Sequence, residues 1–212
     1  MSEHKAAARG MLKLGVILAL YSTVACVGLA FIYTGTEKVI AQRLQADEVA
    51  ALKELFPDAD SFQPITGIKS PDPELMVTIE EGGAFAVMKN GTATGVILRT
   101  SRAGYSGPIK ILVGVNANGT IKGIKILENT DTPGLGLNAG SSSYYVDRPR
   151  GIRFYDQFRG KSVGDPFIPK EDVIAITAAT ITSRSVAESV KAAGEAAAAW
   201  FADGSVVQGG NQ

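Results

Sequence analysis

The sequence predicts an α+β protein: an N-terminal transmembrane helix followed by one extracytoplasmic domain in which helices pack on an antiparallel sheet. Three observations point there. An uncharged apolar run, Leu14 to Tyr33, has about the 20 residues a helix needs to cross a hydrocarbon core. Short β-type runs follow, punctuated by Gly-Gly and Asn-Gly pairs. An Ala-rich segment with helical periodicity then closes the chain before a polar tail.

Taken in order, residues 1–13 read as a cytoplasmic tail. Lys5, Arg9 and Lys13 precede the apolar run and favour an N-terminus held inside, although Lys38 and Arg43 on the far side make that bias modest. A cleaved signal peptide is the rival, because Thr23-Val24-Ala25-Cys26 faintly resembles a lipoprotein cleavage site. Val27 to Ile32 stay apolar past that cysteine, which favours an uncleaved anchor over 14–33. From 34 to 57 the pattern is helical: Val39, Ile40, Leu44, Val49, Leu52, Leu55 and Phe56 fall near a 3.6-residue period until Pro57. This connecting helix is expected to lay its apolar stripe on the folded domain, spanning 58–203; failing that, it is only a stalk.

Ser61 to Ser70 reads as loop. Met76 to Glu80, Ala84 to Lys89 and Thr92 to Leu98 read as strands separated by hairpins at Gly82-Gly83 and Asn90-Gly91. Pro108 to Val115 and Thr120 to Leu127 form a further hairpin through Asn118-Gly119. Gly151 to Lys161 is expected to be a short helix ending at Gly160, with a turn at Gly164-Asp165-Pro166. The last helix is expected from about Ser185, where Ser185 and Glu188 have capping-box spacing, to Phe201, with Val186, Val190, Ala193 and Ala197 on one face. Residues 204–212 read as a disordered tail.

Composition narrows the chemistry. The formal net charge is zero and basic residues are scattered, which argues against a nucleic-acid partner. The single cysteine, Cys26, lies in the apolar run and the single histidine, His4, in the tail. The soluble domain therefore offers no disulfide, thiolate, imidazole or iron–sulfur chemistry and almost no route to a zinc site. No metal ligands and no catalytic acid–base residues are expected, so any redox chemistry must come from a bound cofactor.

Two stretches carry the candidate site. Ile176 to Val186 sets four hydroxyl side chains among small residues ahead of a helix, and Ala178 and Ala179 allow close approach to the backbone. An anion at Thr180 would meet unpaired N–H groups and a positive partial charge. On its own this segment is more simply a loop and a cap. Glu128 to Leu137 contains Thr132-Pro133-Gly134-Leu135-Gly136, a tight turn whose backbone can approach a planar ring or a phosphate, though such turns are commonly structural.

Together with Gly104-Tyr-Ser-Gly-Pro-Ile-Lys-Ile-Leu-Val-Gly-Val and the Asn118-Gly119 hairpin, Thr132-Pro-Gly-Leu-Gly and Thr177-Ala-Ala-Thr-Ile-Thr resemble the FMN-binding domain of the G subunit of Rnf complexes. These membrane complexes couple electron transfer to ion translocation. The resemblance runs from about Met11 to Phe201. The homologous C subunit of sodium-pumping NADH:quinone oxidoreductase shares the domain and is the nearest rival. A stand-alone anchored FMN module and a non-redox binding domain are two further possibilities.

The resemblance implies an FMN joined through its phosphate to the last threonine of a Ser/Thr-Gly-Ala-Thr motif. Here that is Thr180, with Thr177 as the first hydroxyl and Ala178 standing where the family has Gly. The recognition pattern for the flavin transferase has Asp six residues before the acceptor, where this chain has Ile174. Asp172 is two positions too early. Ala179, Ile181 and Thr182 complete the motif region. Thr182 and Ser183 are candidate donors to the phosphate, Arg184 or Lys161 candidate countercharges, and Glu128 a candidate contact to the ring. Tyr144, Tyr145, Phe154, Tyr155 and Phe158 either flank the ring or belong to the core. The implied setting is a bacterial or archaeal cytoplasmic membrane, with the domain on the outer side. The implied partners are other membrane and redox subunits and the transferase that attaches the flavin.

Overall fold

The structure, a computed structural model, describes residues 2–68 and 72–203. It divides into two compact units, Met1–Val49 and Ala50–Gln212. The tail expected at 204–212 lies outside the described residues.

Helix α1 runs without interruption from Ser2 to Leu55. Within it, Lys13–Tyr33 is long and apolar enough to cross a membrane, and its side chains are exposed. The side chains of Val39, Ile40 and Leu44 lie outside the described residues. In the second unit, Ala51, Leu52, Leu55 and Phe56 are buried against Val87, Ile97 and Leu112; Val49, the last residue of the first unit, is half exposed.

The second unit is built on a five-stranded antiparallel meander. β1 (Ser61–Pro64), β2 (Thr78–Lys89), β3 (Thr92–Ala103), β4 (Pro108–Asn116) and β5 (Ile121–Glu128) lie side by side in chain order. Strand alternation sends neighbouring residues to opposite faces, and both faces are covered. Val87, Ile97 and Leu112 meet the end of α1. Ala86, Met88, Val96, Leu98, Ile111 and Val113 belong to the main core, which also holds Val186, Val190, Ala193 and Ala197 of helix α2 (Thr180–Ala202). Alanines on α2 bring its backbone close to β3 and β4. On the other face the Phe56 ring rests on the strand backbones: a Cβ at Gly95 or Gly114 would sit 2.7 Å or 2.9 Å from it.

Four local expectations change. Gly82-Gly83 is no hairpin; β2 passes through it as a bulge, with the register slipping between Ile79 and Ala84, while the turn falls at Asn90-Gly91. Ser61–Pro64 is not loop but an edge strand, because its backbone pairs with Phe85–Met88. Gly151 to Lys161 is not a helix. Strand β7 (Ile152–Arg153) pairs with β6 (Tyr145–Asp147), and only Asp156–Phe158 coils, as one 3-10 turn. α2 begins at Thr180, five residues ahead of the expected Ser185. Ser185 is buried mid-helix and Glu188 forms an ion pair with Arg102 of β3, so there is no capping box between them.

Phe154 and Phe158 are fully buried and meet edge to face with ring centres 5.6 Å apart. They are core, each contributing on the order of 2–3 kcal/mol by burial.

Candidate functional site

The N-terminal turn of α2 sits beside two clefts. The first, about 580 Å³, is lined by Tyr105, Asp131, Thr132, Leu135, Gly136 and the run Ala178 to Thr182. Its volume is in the range of small-molecule and cofactor sites. The second, about 500 Å³, is lined by residues 170 to 178 and again by Thr180. Thr180, whose side chain is exposed, is therefore the residue common to the helix start and both clefts.

The local backbone explains how it is presented. Ala179 caps the helix without a side-chain bond, so helix geometry starts at Thr180 itself. Ser183 N–H donates to the Ala179 carbonyl at 3.0 Å, and the amides ahead of it belong to the first turn, where no intrahelical acceptor exists. Immediately before, Ala178 adopts φ +59°, the left-handed region. A Cβ there costs roughly 1–2 kcal/mol, which is the physical reason a Gly suits this position. Ala178→Gly is accordingly expected to raise stability by about 1 kcal/mol, or ~3 °C in thermal midpoint. Thermal unfolding of the flavin-free protein measures this, and a lowered midpoint would contradict the left-handed backbone.

The hydroxyls flanking Thr180 divide by burial. Thr177 is exposed on the second cleft. Thr182 and Ser183 are buried and engaged within the protein: Thr182 Oγ1 donates to Asp131 Oδ2 at 2.6 Å, and Ser183 Oγ donates to the Ala179 carbonyl at 2.9 Å while accepting from Ile176 N–H at 2.9 Å. Neither has its proton directed to a ligand. The Thr-Pro-Gly-Leu-Gly turn closes through Leu135 N–H and Leu137 N–H, both donating to Thr132 O. Thr132, Leu135 and Gly136 reach the first cleft; Pro133 and Gly134 shape the turn and do not line it.

Three charged candidates are placed elsewhere or differently. Glu128 pairs with Lys110 at 2.7 Å, outside both clefts. Lys161 Nζ lies 3.0 Å from Asp172 Oδ2 and lines neither. Arg184, exposed on α2 one turn after Thr180, is the candidate cation on the same helical face. Asp172 is itself structural. Burial alone would raise its pKa, but the Ile168 amide, the Lys161 ammonium and the Phe167 amide outweigh that and hold it below the ordinary 3.8. Its contribution to stability is therefore present above that value and lost as pH falls through the lower folded pKa. Asp172→Asn should flatten this acid limb, as acid titration of the unfolding midpoint would read.

Two residues that line the first cleft lie within the stretches quoted above but are not singled out there as site residues. Asp131, only 3% exposed, accepts from Tyr105 N–H at 2.9 Å and Ser106 N–H at 2.7 Å as well as from Thr182. Tyr105 is the one aromatic among the residues lining the first cleft. The aromatic group at 144–158 lines neither of the two clefts.

Comparison with known proteins gives the family of the chain. The FMN-binding domain family matches residues 104–195, a stretch that contains the Tyr105 turn, the Asp131 loop and the first turns of α2. The G subunit of the Na(+)-translocating ferredoxin:NAD(+) oxidoreductase complex of Acetobacterium woodii is 31% identical over 84% of this chain and 87% of that protein. The G subunit of an ion-translocating oxidoreductase complex of Methanosarcina acetivorans is 29% identical over 85% and 91%, and that of Pseudomonas aeruginosa 30% identical over 86% of each. Shewanella oneidensis NqrC, a solved structure, superposes with a TM-score of 0.40 at 18% identity, over 64% of this chain and 65% of that one. A membrane-length apolar helix, an antiparallel-sheet domain and the matched sequence thus meet in one chain, which belongs to the family of G subunits of ion-translocating oxidoreductase complexes of the Rnf type.

Proposed function

We infer that this chain is a membrane-anchored flavoprotein subunit that relays electrons within an ion-translocating complex, through an FMN esterified by its phosphate to Thr180. The observation that carries the reading is an exposed threonine hydroxyl at the first residue of α2, opening on a cleft of cofactor size. The residues present fit such a group. First-turn amides and the helix dipole favour a phosphodiester beside Thr180, and Arg184 offers a countercharge. Leu135, Ile181, Ala178 and Ala179 supply apolar wall for a planar ring, and Tyr105 an aromatic one. A Cβ at Gly136 would collide with the Asp131 and Thr182 side chains, so only glycine leaves that wall open.

One- and two-electron transfer is the chemistry a flavin brings. The chain's part is to anchor, orient and shield it; no independent substrate turnover is expected. Among the described residues no group of His, Cys, Asp and Glu is placed to hold a metal ion. One spanning helix cannot form an ion path, so translocation belongs to polytopic partner subunits. The basic residues before the apolar run favour an N-terminus inside and a domain on the outer side of a bacterial or archaeal cytoplasmic membrane. An esterified flavin is not lost from that side. Maturation requires a flavin transferase that accepts Ile174 in place of Asp.

Intact mass of protein from its native membrane tests the reading. The expected result is a gain of one FMN less one water, mapped to the peptide containing Thr180; an unmodified mass in fluorescence-free protein would overturn it. Thr177→Ala should lower the modified fraction without abolishing it, because its hydroxyl borders the second cleft rather than the first.

A further inference from the structure

Asp131 has an arrangement that the relay reading leaves unexplained. Its carboxylate is buried, yet every bond it receives comes from a neutral donor: the amides of Tyr105 and Ser106 on Oδ1 and the Thr182 hydroxyl on Oδ2. All three act as donors to it, the pattern of an ionised carboxylate, which can only accept. Among the described residues no Lys or Arg forms an ion pair with it. The same three bonds join segments far apart in sequence, since Tyr105 and Thr182 lie 26 and 51 residues from Asp131. Each of these segments contributes to the first cleft.

We propose that Asp131 is a positioning residue that also places a fixed negative charge, paired with no cation, in the wall of the flavin cleft, and so makes a flavin held there harder to reduce. The proposal rests on the flavin reading above. Its two halves follow from one geometry. By fixing the Tyr105 turn to the first turn of α2, Asp131 sets the width of the cleft. By carrying charge without a cation, it raises the energy of any state in which electrons are added nearby, and a low-dielectric wall screens that effect little. No proton or ligand is transferred at Asp131; its action on the couple is electrostatic.

Asp131→Asn separates charge from architecture. The amide keeps a carbonyl oxygen for the two backbone N–H groups, and the Thr182 hydroxyl can turn to accept from the new NH₂. Midpoint potential measured by spectroelectrochemistry on flavin-loaded full-length protein is the readout, with flavin content and thermal midpoint recorded alongside. The expected result is an oxidised–reduced equilibrium shifted about tenfold toward reduction, equivalent to about +30 mV for a two-electron couple. Thr182→Val keeps the charge and removes one bond, so it should lower the thermal midpoint and produce no positive shift of potential.

A potential unchanged in Asp131→Asn with stoichiometric flavin would overturn the proposal. If the Asn variant does not fold, Asp131→Ser, smaller and neutral, takes its place under the same criteria. Failure of both to hold flavin would overturn the electrostatic role in favour of an architectural one. Flavin-free wild-type protein would instead refute the relay reading, and this proposal with it.

Discussion

Thr180→Val should abolish covalent flavin, taking the modified fraction from near one to none, while the domain unfolds within ~2 °C of wild type. The side chain is exposed and valine is isosteric, so a surface-sized change of about 0.5 kcal/mol or less is expected. The contrast between a total loss of flavin and a negligible change of stability is what identifies an acceptor. A general weakening of the cleft would move both quantities together. Mass spectrometry of the variant, expressed with its transferase, makes the comparison; stoichiometric flavin retained on Thr180→Val would move the acceptor elsewhere.

Gly136→Ala is expected to have the largest effect on stability among substitutions in the cleft. The added Cβ would lie 2.7 Å from Asp131 Cβ and 2.8 Å from its Oδ2, besides meeting Thr182 Oγ1. Relief requires breaking the Asp131–Thr182 bond or moving the loop off α2, at about 1–3 kcal/mol and ~3–10 °C. Flavin occupancy should fall with it. Gly134→Ala is the control: its φ is +78° but nothing lies within 4 Å of the added methyl, so it should cost only the backbone strain, about 1 kcal/mol. Equal losses at the two positions would contradict the crowding at Gly136.

What the sequence makes legible follows the range of the forces involved. The β-type runs Pro108 to Val115 and Thr120 to Leu127, with apolar alternation at Val113 and Val115, and the Asn-Gly pairs at 90–91 and 118–119 act over a few residues; they predict the strands and turns that the structure contains. The start of α2 is not legible, because no capping side chain marks it. Thr182, Ser183 and Ser185 look like loop residues, yet all three are buried in the helix, and bonds to Asp131 and the Ala179 carbonyl engage the hydroxyls of Thr182 and Ser183. Gly82-Gly83 has the composition of a hairpin, yet β3 continues opposite it and turns the pair into a bulge. Asp131 is hidden in the sequence for a related reason: an aspartate beside Thr-Pro-Gly looks like a turn former, and only the tertiary fold brings Tyr105 and Thr182 to it. Lys161, a candidate countercharge, and Glu128, a candidate ring contact beside the Thr-Pro-Gly turn, find partners in Asp172 and Lys110 across the fold.

Helix α2 starts at Thr180, the proposed acceptor, and ends near the protein's single tryptophan, Trp200, which is almost fully buried and packed edge to face on Phe201 with ring centres 5.0 Å apart. Twenty residues of α-helix between them correspond to about 30 Å. Indole emission overlaps flavin absorption, so the chain carries a built-in optical ruler whose length is set by backbone geometry rather than by a label. Quenching of the Trp200 signal then reports flavin arrival in real time, and its recovery on heating dates the moment this helix frays or leaves the sheet.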